Sequence, residues 1–408
     1  MVLNKMMKVG CGGLVLSSMA MGAEQARTDK LVDLQAKVRV DAVSNKTDTK
    51  LSSGTQTDTE DGFKLAMARL YVLGAMNEGR TRYTLNIDPL QISAVGKAVG
   101  TNTAPCLPGS PAPALCSQAT SDVDGGNSVL AEATLTHMPT KMLALKFGRM
   151  GVNAGGIENN FYGPYDTYLT SYHGNLPEIG QVGTGLEVGL MPMDGHWIKV
   201  QVLNGAQGSP AAEKSGGNMT TGIAYQGDVS GMMKPYVSVY QHRFTKTKYN
   251  TATPGTQTQY DANRAMSYSV GAQFLVADLT IDGEYNGVNW AKTKTNVGGV
   301  TGDGAKAQNY SGGIVKVAYN VSSIGFKPWL KLTNETNKMG VDNNVGDVAY
   351  MSYGVGAEWF AEKNLNYHFA YTTSNMTVKA VDNSDPTNLA ADAKAVNTKI
   401  TVGVGVHI

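Results

Sequence analysis

Charge is scarce in this chain. Only 16% of its 408 residues are Asp, Glu, Lys or Arg, and 34 basic side chains are set against 33 acidic ones. Such a balance offers no bulk attraction to nucleic acid or another polyanion. Long apolar runs are also missing. Past the first 22 residues nothing approaches the roughly 18–20 apolar residues that a membrane helix needs. No sustained i, i+3, i+4 pattern replaces them, so amphipathic helices are not expected either. Proline is low at 14, and cysteine numbers three. No Gly-x-Ser-x-Gly, HExxH or CxxC occurs, which leaves nucleophilic, zinc and thioredoxin-like chemistry without local signatures. The expectation is a protein that is not an enzyme and carries no cofactor or metal.

What is abundant is glycine (48) and tyrosine (19), with Asn and Thr, a composition rich in strands and turns. The chain opens with "MVLNKMMK", carrying Lys5 and Lys8, then the short apolar "VGCGGLVLSSMAMG" and small residues at Ala20 and Gly22. That order reads as a signal peptide over 1–22, cut near Gly22–Ala23. Cys11 does not read as a lipoprotein site, because Lys8 stands where Leu would be required. Removing Lys5 and Lys8 leaves 32 basic and 33 acidic residues, a net charge of −1. Export to an oxidising compartment makes Cys106 and Cys116 a candidate loop disulfide, two free thiols being the alternative.

Period-2 alternation recurs from end to end of the remaining 23–408. In "LQAKVRVDA", Leu34, Ala36, Val38, Val40 and Ala42 oppose Gln35, Lys37, Arg39 and Asp41. In "WIKVQVLNG", Ile198, Val200 and Val202 oppose Lys199 and Gln201, with Trp197 on the polar side. "LTIDGEYNG" separates Leu279, Ile281 and Tyr285 from Asp282, Glu284 and Asn286. Sixteen such segments begin near residues 31, 63, 80, 129, 141, 182, 197, 218, 234, 264, 279, 309, 324, 347, 365 and 396. The last alternates from Val396 through Ile400 and Val404 to Ile408, the final residue.

The connections alternate in length. Short ones ("GAMNEG", "MPT", "MDGH", "DVSGMM", "AD", "NVSS", "AEKN") take turns with long polar ones at 43–62, 89–128, 149–181, 205–217, 245–263, 291–308, 337–346 and 375–395. All tight turns at one end and all long loops at the other is the layout of an all-β, transmembrane antiparallel β-barrel of about 16 strands. A soluble sandwich or β-helix would also alternate, but its connections need not sort by length and no short repeat period is present. Apolar faces can be presented to lipid only by a closed barrel, so the last strand should pair with the first.

"DGFKLAMARLYVLGAMNEGRTRYTLNID", "LALKFGRMGVNAGGIEN" and "VQVLNG" resemble strands of the phosphate-selective porin O/P family over about a third of the chain. The resemblance implies a sixteen-stranded Gram-negative outer-membrane porin, usually a homotrimer, that passes small solutes. It does not extend to phosphate selectivity: "KLAMARL" has only Arg69, and the chain holds eight arginines in all. Most such barrels also end in Phe where this one has Ile408. The implied surroundings are outer-membrane lipid and lipopolysaccharide, with small solutes and ions in the lumen.

Two function classes follow: a passive diffusion channel, or a structural or adhesion barrel with a plugged lumen and surface-binding loops. For the channel, Arg39, Arg80 and Arg82 lie opposite the apolar rows of their strands, and Arg69 joins them only if its strand is bulged. Arg149 leads into the third long loop, 149–181, which is thick with Phe161, Tyr162, Tyr165, Tyr168 and Tyr172 and carries Glu158 and Asp166. That loop is expected to fold into the pore, setting Glu158, Asp166 and Tyr165 against the arginines. "SDVDGGN" (Asp122, Asp124, Asn127) reads first as a solvated turn and only second as a weak Ca²⁺ site. "GTGLEVG" has the wrong spacing for a dinucleotide loop and reads as strand, and His242 beside Arg243 reads as a strand residue near a wet interior.

Overall fold

The computed structural model describes residues 32–51, 54–87, 130–152, 182–204, 219–249, 257–290, 294–297, 300–303, 308–338, 348–362, 364–378 and 393–407. Every regular element among them is a β-strand. In chain order these are β1 (Asp33–Leu51), β2 (Gly54–Met76), β3 (Thr81–Ile87), β4 (Leu130–Thr140), β5 (Leu143–Gly151) and β6 (Val182–Met193). Next come β7 (His196–Asn204), β8 (Met219–Gln226), β9 (Met233–Tyr249), β10 (Gln257–Val276), β11 (Leu279–Trp290) and β12 (Lys294–Val297). The last six are β13 (Val300–Asp303), β14 (Gln308–Tyr319), β15 (Phe326–Lys338), β16 (Val348–Glu362), β17 (Leu365–Val378) and β18 (Ala393–His407).

Each strand pairs antiparallel with its neighbours, and β18 returns to β1 from Lys37↔His407 to Lys50↔Lys394. Of the eighteen strands, β12 and β13 pair with each other as an appended hairpin, so sixteen form the closed wall. The alternation now has two destinations. Lys331 and Thr333 on β15 are buried, while Leu330 and Leu332 between them are 53% and 43% exposed. The same inversion holds on β1, where Lys37 and Asp41 are buried and Val38 and Val40 are exposed. An apolar exterior around a polar interior is stable against hydrocarbon and not against water.

Three of the expected long connections are largely strand. Residues 43–51 and 54–62 form the outer halves of β1 and β2, which pair as far as Leu51↔Gly54. Residues 245–249 and 257–263 extend β9 and β10 in the same way, and 291–308 contains the β12–β13 hairpin. Such extensions are polar on both faces: "SNKTDTK" and "TQTDTED" keep the β-favouring threonines and lose the apolar row. Hydrophobic period-2 reasoning therefore sees them as loops. The signal peptide, the final Ile408, Cys106 and Cys116, and Asp122, Asp124 and Asn127 lie outside the described residues.

The short turns carry nearly all of the left-handed backbone. Asn77, Glu78 and Gly79, then Gly195, Ser230, Gly231, Ala277 and Gly325 have positive φ, and all sit between strands at the tight-turn end. Two-residue hairpin turns need such angles to match strand twist. Ala277 meets this need with φ 52° and a Cβ that disfavours it. Ala277→Gly should therefore stabilise the barrel by about 0.5–1 kcal/mol after the entropy of the extra glycine is set against the relieved strain. The measurement is the temperature at which the folded band converts to the unfolded band on SDS gels; an unchanged or lower temperature contradicts the expectation.

Candidate functional site: the charged inner wall

The inward rows meet across strands, and their chemistry is grouped into sectors. On β1 and β2, Lys37 stands in register with Arg69, and Arg39 with Met67. Arg69 reaches the inner row because the register shifts between Arg39 and Val40, with Ala66 as the extra residue on β2. Leu65 below the bulge thus faces out and is exposed, whereas Met67 and Tyr71 above it face in and are buried. Arg39 binds Asp41, with Nε 3.1 Å from Oδ1 and an Nη2 bond of 3.2 Å to Oδ2. His368 of β17 completes the group, its Nε2 3.0 Å from Asp41 Oδ1. The imidazole reaches Asp41 by lying across Gly403 of β18, where a Cβ would overlap its ring. Glycine at that point lets a side-chain bridge cross the closing strand.

The other predicted arginines separate. Arg82 keeps the inward row of Thr84 and Asn86, but close to the turn, where its Nε donates to the Gly79 carbonyl at 3.2 Å. Arg80 does not extend that row: β3 begins at Thr81, and Arg80 belongs to the turn, 65% exposed and 4.0 Å from Glu78. Alternation was carried one residue beyond the strand. Arg149 follows Gly148, whose φ of 117° breaks the alternation, so that Arg149 and Met150 are both buried. A Cβ at Gly148 would overlap the Ala133 carbonyl.

A second sector runs over β4 to β7. Lys146 Nζ is 3.0 Å from Glu132 Oε1, Lys146 is in register with Glu187, and Gln201 Nε2 donates to Glu187 Oε2 at 2.7 Å. The same amide reaches past β6 to the Gly151 carbonyl at 3.0 Å. This ties down the end of β5. Just there, Met150 and Val152 pack with Leu203, Ala224, Tyr236 and Tyr240, an apolar cluster on the inner side of β7 to β9. The chain therefore leaves β5 against the inner wall. Glu158, Tyr165 and Asp166, further along, lie outside the described residues.

From Tyr236 to His242 the inner row of β9 is neutral. His242 is enclosed, with Nδ1 3.1 Å from Thr220 Oγ1 and Nε2 2.8 Å from Ser267 Oγ. A third charged sector follows on β10 to β14: Lys316 Nζ is 2.9 Å from Asp282 Oδ2, Gln273 donates to Asp282 at 3.1 Å, and Ser269 donates to Glu284. Alternation already puts Lys37, Lys199, Asp282 and Glu284 on polar rows beside the arginines. Which of them meet is a matter of register, which a single strand does not carry.

No protein-family model matches the chain, and no curated protein matches it. Solved structures do. The barrel superposes on an anion-selective porin from Comamonas acidovorans at 13% identity, covering 92% of this chain and 99% of that one, with a TM-score of 0.53. OmpF of Salmonella typhi in complex with daunomycin gives 14% identity, 92% and 97% coverage and a TM-score of 0.53. The outer-membrane channel DcaP of Acinetobacter baumannii gives 12%, 92%, 97% and 0.51. At these identities the likeness is one of fold: a closed sixteen-strand barrel of the outer-membrane porin type. The narrower resemblance to phosphate-selective porins has no counterpart in these matches.

The cross-seam bridge makes Gly403 the most sensitive glycine of the closing strand. Gly403→Val should displace His368 from Asp41 and leave a buried carboxylate with one partner fewer, a loss of about 1–3 kcal/mol. The heat-conversion temperature should fall, while Val402→Ile on the outward row leaves it unchanged. Equal behaviour of the two variants would remove the bridge from the account of closure.

Proposed function

We propose that this chain is an outer-membrane porin, a water-filled channel for passive diffusion of small hydrophilic solutes and ions, reached by export through the periplasm and assembled as a homotrimer among lipid and lipopolysaccharide. The observation that carries the reading is the inner wall itself: rows of Lys, Arg, Asp and Glu face a lumen inside an apolar exterior. Buried charge is costly unless paired or hydrated, and a wet lumen supplies hydration where the pairs leave off. Selectivity then follows from width and from the charges that ions pass. Arg39 and Arg69, with Lys37, form the cationic side of the constriction. Arg149 and the third loop, 149–181, with Glu158, Tyr165 and Asp166, narrow it from the point where β5 ends against the inner wall. A Cys106–Cys116 disulfide braces the second long loop.

A second reading has its own support. Tyr236, Tyr240, Gln201, His242 and Lys316 on the inner row are almost fully enclosed, as they would be in a filled lumen. The extended β1–β2 and β9–β10 hairpins would then serve as binding surfaces on a structural barrel.

Planar bilayers separate the two. Purified protein should insert with ohmic conductance steps, and Arg69→Glu should shift the zero-current potential in a salt gradient toward cations, changing the permeability ratio roughly fivefold for about 1 kcal/mol of altered ion energy. Silent insertion of the folded barrel would favour the scaffold. A potential unmoved by Arg69→Glu would take that side chain out of the ion path.

A further inference from the structure

The turn between β6 and β7, "MDGH", sets two metal-binding side chains next to each other. Met193 and His196 are the register partners that close it, with Asp194 and Gly195 between them. Directly opposed residues of an antiparallel pair share a face, their Cβ atoms about 5 Å apart. The Met193 thioether and the His196 imidazole therefore reach into the same space. They belong to the outward row, since Trp197 and Lys199 are buried on the inner side while Val200 is exposed. Met193 is 62% exposed at the tight-turn rim, the end that faces the periplasm in an outer-membrane barrel.

His196 is held in place from behind. Its Nδ1 lies 2.8 Å from the Tyr225 hydroxyl on β8, and the two rings stack with centroids 6.1 Å apart. Gly227 leaves room for that bond: a Cβ there would stand 2.6 Å from the phenol oxygen and 3.0 Å from Nδ1. Gly195, at φ 76°, makes the tight turn close beside Asp228. Asp228 Oδ1 is already used, accepting the Gly231 N–H at 2.7 Å. An imidazole engaged through Nδ1 presents Nε2 to a ligand, and the Nδ1 bond fixes both ring orientation and tautomer.

The pair offers one thioether and one imidazole, and this donor set selects a soft ion. Thioether sulfur favours copper(I) over harder divalent cations, and copper(I) and silver(I) accept low coordination numbers. Magnesium and calcium want oxygen ligands, and zinc wants a fuller shell of donors. Among the described residues no three His, Cys, Asp or Glu side chains gather to hold such an ion. We propose that Met193 and His196 form a copper(I)-binding site on the periplasmic rim, with Tyr225 as the residue that positions the imidazole. The site lies outside the lumen and does not depend on whether the barrel conducts. Met142 and Met232, 56% and 61% exposed on neighbouring turns, stand in register with no histidine and serve as internal comparisons.

Silver(I), which is stable to oxidation and reduction here, is the probe, added to the whole barrel in detergent with any free thiol blocked. Isotope-labelled methionine methyls give one NMR signal per residue, and Met193→Leu identifies the Met193 signal. That signal should shift saturably with silver(I) and stay still with zinc(II), while Met142 and Met232 respond only at higher silver(I). His196→Gln should reduce the Met193 response to their level. Tyr225→Phe leaves both donors in place and should weaken the response about tenfold; it covers the case in which the Gln variant does not assemble. A Met193 response no tighter than those of Met142 and Met232, or one unchanged in His196→Gln, would overturn the site.

Discussion

Backbone hydrogen bonding in a medium without water is the constraint on which everything else here depends. Each N–H and C=O at membrane depth must find a partner within the protein, and an unpaired edge costs several kcal/mol per group. The chain meets this by pairing its last strand with its first, and the residues at that junction are shaped for it. Val402, Val404 and Val406 face out, while Thr401, Gly403 and Gly405 face in. The glycines keep the inner side of β18 low enough for His368 to reach Asp41 on the far strand. The seam is held by its ladder and by a side-chain bridge above it.

Closure dictates the placement of charge. With the exterior given to lipid, charged side chains go inward, and sixteen strands bring them close together. They then neutralise one another, Glu132 with Lys146 and Asp282 with Lys316 across strands and Arg39 with Asp41 along β1, where His368 adds a contact from β17. Pairing makes their burial tolerable, since an isolated buried charge is the expensive case. It leaves the charged sectors interrupted where His242 is enclosed by Thr220 and Ser267.

The departures from regular alternation coincide with places where the wall changes role. The Ala66 bulge turns Arg69 inward and Leu65 outward, and the Gly148 break buries Arg149 beside Met150. Each is a local irregularity with a global effect, because a one-residue slip exchanges the two faces of a strand.

The amino-acid sequence alone determined the class of structure, the number of staves in the wall and the side of each stave that meets lipid. All three follow from a two-residue period and from the lengths of connections, which are local properties. It also placed Arg39, Lys199, Asp282 and Glu284 on polar rows. It did not reach the outer halves of β1, β2, β9 and β10, because a strand polar on both faces has no apolar row to reveal it. It carried Arg80 one position too far, because alternation does not mark where a turn begins. What only the tertiary structure decided is which side chains meet. Arg69 turns inward through a bulge, His368 crosses Gly403 to Asp41, and Trp329 lies down on Gly354 and Gly356. Those contacts join residues up to 327 positions apart, and they depend on register around a closed ring, which no single strand encodes.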